Sequence, residues 1–159
     1  MKTTIVTGLC AAVLALSTIG AGASDRDALE IEGSYILFQD DGYQRVLSFD
    51  RSGNVVQASD LEAVYGFTSG VGAWEQTGPD SAKARIIDFN YDRETGTPAG
   101  PAIVDYDFTF GDLVQGKYQT FTGTVAGKQY EVGQDPLAPT KDALREFGNP
   151  FKGKRITVE

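Results

Sequence analysis

Three aspartates are the residues best placed for acid–base chemistry, because the chain contains no histidine. Asp88 lies in the alternating segment KARIIDFNY, and Asp105 and Asp107 lie in AIVDYDFTF. If these segments pair as strands, the three carboxylates can share one face, where crowding would raise the pKa of at least one of them. Asp88 and Asp105 are then the candidate catalytic acid or base. The alternative is that the aspartates point to solvent while the neighbouring aromatic rows form the core.

Arg45 is the candidate for holding an anionic group. In YQRVLSF, alternation puts Arg45 on the same face as Leu47 and Phe49, which predicts an arginine among apolar side chains. A buried guanidinium needs a carboxylate partner, and the sequence leaves two sources open. One source is internal, with Glu75 or Asp88 as the partner, and the other is the anionic group of a bound ligand. The candidate ligand-binding residues are Tyr35, Arg45, Tyr65, Trp74 and Glu75.

Composition excludes several classes of site and partner. Without histidine, neither a Ser-His-Asp nor a Cys-His nucleophile can be built, and the commonest zinc-ligand sets fail as well. The acidic loops DDG and DRETG lack the spacing of an EF-hand, so we expect no metal and no cofactor. A formal net charge of −8 disfavours nucleic acid and anionic membrane surfaces as partners. The expected partner is a small apolar or amphipathic molecule, and the sequence indicates no oligomeric state.

The first 23 residues have the pattern of a secretory signal peptide. Lys2 precedes an apolar run over residues 5–19, and Ala21-Gly22-Ala23 is a small-residue cleavage site. The run is short and diluted for a membrane span, so we expect a secreted or periplasmic protein with no span. Cleavage leaves a domain at 24–159, long enough for one compact core. Cys10 is the sole cysteine and falls within the predicted signal, so this domain has no disulfide.

The elements that must position these residues are predicted to be strands. Runs of Val, Ile, Tyr, Phe and Thr, interrupted at short intervals by Gly, Asp, Asn and Pro, are typical of an antiparallel sheet. Turn sequences such as DRSGN and TGPD make consecutive strands neighbours. The sequence therefore predicts an all-β fold, a single up-and-down barrel of about eight strands. The strands are expected near 31–38, 43–50, 54–58, 71–77, 82–91, 102–112, 118–126 and 153–158, with 128–132 as an extension of the seventh.

Two short helices are expected to interrupt the meander. Ser59 and Glu62 have capping-box spacing and Gly66 is a stop signal, which predicts a helix over 60–65. A second helix is predicted over 141–147, ended by Gly148. The stretch through YGFTSG, between the third and fourth strands, is either a lid over the barrel mouth or an ordinary surface connection.

Gly72-Ala73-Trp74 resembles the Gly-x-Trp motif of lipocalins and other calycins, and Gly33-Ser34-Tyr35 stands on the predicted first strand, where that motif lies in lipocalins. The longer pattern from LSFDRSGNVV to YQTFTGTV, roughly residues 45–126, resembles small calycin-like barrel proteins. A more distant similarity is to barrels of the allene-oxide-cyclase and dirigent type. The first resemblance implies a ligand-binding barrel, and the second implies a cofactor-free enzyme.

These observations predict a secreted barrel that binds a small, largely apolar molecule, with or without an anionic group. The alternative is a cofactor-free isomerase or cyclase that encloses an apolar substrate, with Asp88 or Asp105 as acid or base and Arg45 and Tyr35 holding the substrate. A structural or protein-interaction module is a third possibility, and it would need an exposed apolar patch.

Overall fold

The computed structural model describes residues 30–158, so the predicted signal peptide lies outside the described residues. Eight antiparallel strands form a closed barrel in which each strand pairs with the next and the last pairs with the first. The prediction of an all-β, up-and-down barrel is confirmed. The strands are β1 Gly33–Gln39, β2 Gln44–Phe49, β3 Asn54–Ser59, β4 Gly70–Gly78, β5 Ser81–Tyr91, β6 Pro98–Val114, β7 Lys117–Gln129 and β8 Arg145–Arg155, with helix α1 Glu62–Tyr65 between β3 and β4.

The two ends of the barrel differ in their connections. At the turn end, tight turns at 50–53, 79–80 and 115–116 join strands, and β1 begins where β8 ends. At the loop end lie the four other connections, 40–43, 60–69, 92–97 and 130–144. Because helix α1 and the longest loop are both at the loop end, this end has the material to shape a binding site.

Aromatic side chains fill the middle and the turn end of the interior. On β6, Tyr106, Phe108 and Phe110 alternate with outward-facing polar residues and are at most 4% exposed. Ring centroids of Phe108 and Phe121 are 5.4 Å apart, and those of Phe108 and Phe151 are also 5.4 Å apart. Rings packed at such distances leave no room for a ligand. Binding space inside the barrel must therefore lie at the loop end.

Glycine and phenylalanine face each other across β7 and β8. The register pairs Phe121 with Gly153, Gly123 with Phe151 and Gly127 with Phe147. A Cβ atom on Gly127 would lie 2.0 Å from the Phe147 ring, so the ring lies directly on the glycine backbone. These pairs let large rings pack flat against the inner wall without forcing the strands apart.

The prediction of a helix over 141–147 is wrong. β8 runs from Arg145 to Arg155, so the strand begins well before the predicted 153–158 and includes Gly148 and Pro150. The pairing partners explain the difference, because β7 extends to Gln129 and offers hydrogen-bonding groups to β8 along that whole length. Sheet closure thus overrides the local helix preference of TKDALREFG.

Arg155 closes the turn end. Its guanidinium donates to the main-chain oxygens of Tyr118 at 2.6 Å, Glu32 at 2.7 Å and Glu30 at 3.0 Å, and it lies 4.6 Å from the centre of the Tyr35 ring. Gly33, at φ +138°, makes room for it, since a Cβ atom there would be 2.1 Å from the guanidinium. Side-chain and main-chain groups are satisfied here, so this end has a structural role.

Candidate functional site

A cavity of about 220 Å³ lies inside the loop end of the barrel. Its depth is set by the aromatic core beneath it, and its mouth is shaped by the connection that carries α1. Six of the residues that line it are apolar and give it a hydrophobic floor and side: Leu61, Phe67, Ala99, Ala102, Val104 and Phe147.

The connection between β3 and β4 contributes Leu61, Tyr65 and Phe67 to the lining and so borders the mouth of this cavity. Tyr65, at the end of α1, is a lining residue whose hydroxyl is 3.2 Å from that of Tyr43. The Glu62 carboxylate fixes the base of the connection by accepting from the Ser59 main-chain N–H at 2.9 Å and from the Ser69 hydroxyl at 3.0 Å. α1 ends at Gly66, whose φ of +75° is the left-handed cap that glycine favours.

Arg45 projects from β2 into the interior and is only 7% exposed. One terminal nitrogen donates to the Tyr106 hydroxyl at 2.7 Å and to the Gln57 amide oxygen at 3.4 Å, and the Tyr106 hydroxyl in turn donates to Gln57. Within residues 30–158, the Arg45 Nε and the Gln57 Nε2 have no hydrogen-bond acceptor. The hydrogen-bond partners of this buried guanidinium are neutral, so no carboxylate in contact with it balances its charge.

Asp88 projects into the same cavity from β5 and is 5% exposed. Its carboxylate accepts one long hydrogen bond, from the Asn90 side chain at 3.5 Å. Burial raises the pKa of Asp88 from 3.8 to about 6, and the positive charge of Arg45 lowers it less than burial raises it. Among the described residues neither Asp88 nor Arg45 takes part in an ion pair.

Neutral amides complete the polar part of the wall. Gln129 donates from its side chain to the Ala99 main-chain oxygen at 3.1 Å, and Asn90 donates to that of Gly100 at 3.3 Å. These bonds hold each amide in place and leave its side-chain oxygen as an acceptor. The other polar lining residues are Gln39, Asp41, Tyr43, Tyr91, Arg145 and Asn149.

Comparison with known proteins finds no matching family model, no matching curated protein and no matching solved structure. The eight-stranded antiparallel barrel is consistent with a calycin-like architecture. In the part of the chain from 30 to 158, no cluster of three or more potential metal ligands is present, and no helix has the length and apolar character needed to cross a membrane. The site must therefore be interpreted from its own geometry.

The structure brings together only some of the residues predicted to bind a ligand. Arg45 and Tyr65 line the cavity. Tyr35 and Trp74 face inward but lie at the turn end, where Tyr35 donates to the Ile31 main-chain oxygen at 2.8 Å and the Trp74 indole donates to that of Asp50 at 2.9 Å. Burial raises the pKa of Tyr35 to about 12, so it stays a neutral donor. Glu75 is exposed on the outer face of β4.

The predicted carboxylate pair is also divided. Asp88 faces the interior, whereas Asp105 and Asp107 face outward from β6 and pair with Arg85 at 2.7 Å and Lys83 at 3.3 Å. Among the described residues, neither carboxylate named as an internal partner pairs with Arg45: Glu75 points away, and Asp88 forms no ion pair with it. The three aspartates therefore do not share one face, and only Asp88 among them lines the cavity.

Four residues in or beside the site were not predicted from the sequence. Gln129 lines the cavity and Gln57 contacts Arg45 beside it, and both are polar residues at inward positions of their strands. Such a break in an apolar row is a signal that could have found them. Phe147 was hidden by the incorrect helix prediction. Asn90 follows Asp88 by two residues on the same predicted face, so alternation contained that signal too.

Proposed function

We propose that this protein binds a small molecule in the loop-end cavity, with an acceptor or anionic group of the ligand placed against Arg45. The observation that carries the proposal is the Arg45 guanidinium, 7% exposed, which lines the cavity and whose second terminal nitrogen makes no hydrogen bond within the described residues. Leaving a charged donor buried and unpaired is costly, and a ligand carboxylate or carbonyl removes that cost when it binds.

The size and lining of the cavity support a compact, amphipathic ligand. A cavity of about 150 Å³ holds a benzene molecule, so about 220 Å³ suits one ring with one or two substituents. Phe147 and Val104 offer an apolar surface for the ring, while Arg45 and the wall amides offer polar contacts. The ligand is therefore more polar than the largely apolar molecule expected from the sequence.

Export to the periplasm or the exterior is part of the proposal. Its support is the pattern of residues 1–23, which lie outside the described residues, and the absence of cysteine from 24–159. A ligand in such a compartment reaches the protein by diffusion, and it can enter the cavity through the mouth of the barrel.

Catalysis in the same cavity is the less supported alternative. In its favour, Asp88 is buried beside the cavity with a raised pKa, as a general acid or base would be. Against it, Asp105 lies outside the barrel in a partly exposed ion pair with Arg85. An isomerase or cyclase would thus have to do its proton chemistry with a single carboxylate.

The proposal is tested by comparing Arg45→Met with Arg85→Met, a control that removes an arginine from the outer face. Titration of each protein with benzoate, followed by calorimetry, measures affinity, and chemical denaturation measures the free energy of unfolding. We expect Arg45→Met to keep the stability of the wild type and to lose about 2 kcal/mol of binding, roughly thirtyfold in Kd.

The sole tryptophan provides an internal control for the place of binding. Trp74 is at the turn end, so its indole N–H resonance should not shift on titration, while the backbone amide of Asp88 should. If Arg45→Met lost stability but kept its benzoate affinity, Arg45 would be a structural residue and the proposal would fail.

A further inference from the structure

Arg45 and Asp88 face the same space from walls three strands apart. Arg45 lies on β2 and Asp88 on β5, and both side chains line the loop-end cavity. They are near enough for the charge of Arg45 to lower the pKa of Asp88, yet they form no ion pair. The cavity therefore has a cationic side and an acidic side with space between them.

Each of the two groups has hydrogen-bonding capacity that its neighbours leave unused. Arg45 lines the cavity, and its second terminal nitrogen makes no hydrogen bond among the described residues. The Asp88 carboxylate has two oxygens and about four acceptor positions, of which one is taken by the weak bond from Asn90. The other charged group that acts on Asp88 is Glu62 of α1, which is negative and offers it no donor. Arg45 can thus take a further hydrogen-bond acceptor, and Asp88 can take a further hydrogen-bond donor.

From this juxtaposition we infer that the ligand bridges the cavity, presenting a carboxylate or carbonyl oxygen to Arg45 and a hydroxyl or N–H group to Asp88. The inference rests on the proposed function and narrows its ligand class. The class is a small hydroxy- or amino-substituted carboxylic acid with a ring-sized body, packed against Phe147 and Val104. An unsubstituted acid such as benzoate gives the buried Asp88 carboxylate no further donor, so we expect it to bind, but more weakly than a hydroxy-substituted acid.

Matched probes test the inference on the wild-type protein. The probes are 3- and 4-hydroxybenzoate, each compared by calorimetry at pH 7.5 with the methylbenzoate substituted at the same position. A methyl group and a hydroxyl group are close in size, so the pair differs mainly in the donor. We expect at least one hydroxybenzoate to bind tenfold or more tightly than its methyl counterpart.

Variants assign that preference to Asp88. Asp88→Leu, which removes the acceptor at similar size, should abolish the preference and bring the two probes within about twofold of each other. Asp105→Leu changes an outward-facing aspartate and should leave the preference intact.

The outcomes separate this inference from the proposed function. If hydroxy and methyl probes bind the wild type equally while Arg45→Met weakens both, the bridging inference is overturned and the proposed function stands. If the preference persists in Asp88→Leu, the donor contacts another group and the inference is again overturned. If none of these acids binds, both proposals fall.

Discussion

The buried carboxyl group of Asp88 lowers the stability of the folded protein when it is ionised. Its pKa is raised from 3.8 to about 6, so the folded protein holds this proton more tightly than the unfolded chain does. The stability contributed by this tighter proton binding is therefore fully present below about pH 4 and is lost as the pH rises through 6. Above that pH the buried carboxylate is ionised without a strong partner, which costs on the order of 3 kcal/mol.

Asp88→Asn should remove this cost, because the amide is neutral at every pH. We expect the variant to be about 3 kcal/mol more stable than the wild type at pH 8 and close to it at pH 4. The measurement is chemical denaturation at several pH values between 4 and 8. Asp105→Asn is the control, and its stability difference from the wild type should stay below about 1 kcal/mol across that range. A constant difference between Asp88→Asn and the wild type would show that Asp88 does not titrate there.

Alternation along each strand determines whether a side chain faces in or out, and at this scale the sequence was informative. It correctly put Arg45 with Leu47 and Phe49, and it kept Asp105 on a different face from the aromatic row of β6. It carries no information on height along the barrel axis. Tyr35 pairs with Leu47, whereas Arg45 pairs with Leu37, two residues further toward the loop end. That offset places Tyr35 in the packed core and Arg45 in the cavity.

The connection carrying α1 borders the mouth of the cavity. Glu62 accepts from Ser59 and Ser69 at its start, and the Phe67–Asn90 bridge joins its end to β5. Between these anchors Val64 and Tyr65 are 47% and 48% exposed, and α1 has no buried residue. We therefore expect α1 to open at a smaller free-energy cost than the strands, as binding-site lids do.

Glu62→Ala should therefore speed ligand exchange more than it changes affinity. Loss of the two hydrogen bonds costs about 1 kcal/mol of local stability, so the open state is populated more often. We expect the association and dissociation rate constants of benzoate to rise together by several-fold, with Kd altered less than either rate. Stopped-flow mixing or NMR line-shape analysis measures both rates, and Glu94→Ala, in the exposed 92–97 loop, is the control. Unchanged rates would mean that the connection is not a lid.

The sequence predicted those strands that have turn signals on both sides. It did not predict the full length of the strand that forms only because it closes the barrel. The Ser59–Glu62 spacing located α1 because the contact that makes it is local. β8 has no such local origin. Its pattern is blurred by Gly148, Pro150 and Gly153, and it becomes a strand only because β1 and β7 both have edges to pair. Long-range pairing of this kind cannot be obtained from a window of sequence.

The molecule as a whole divides its interior between stability and binding. Between Tyr106 and the turn end, the barrel is filled by aromatic rings and closed by Arg155. Between Tyr106 and the loop end, the wall becomes polar and encloses the cavity. A barrel of eight strands has an interior just wide enough for side chains to fill it or for one small ligand. Here the same barrel does both, one at each end, so changes at one end should have little effect at the other.

Arg155→Met tests this division. The variant leaves the main-chain oxygens of Tyr118, Glu32 and Glu30 without their charged donor and removes the cation from the face of Tyr35. Hydrogen bonds to charged groups are among the stronger ones, so we expect a loss on the order of 3 kcal/mol in the free energy of unfolding. Benzoate affinity, measured where the variant is still folded, should stay within about twofold of the wild type, because no residue of the cavity touches Arg155.

The control is Arg85→Met, which breaks one exposed ion pair and should lower the free energy of unfolding by less than about 1 kcal/mol. A large loss of affinity in Arg155→Met would show instead that the two ends are coupled through the aromatic core, and that the packed half of the barrel helps to shape the cavity.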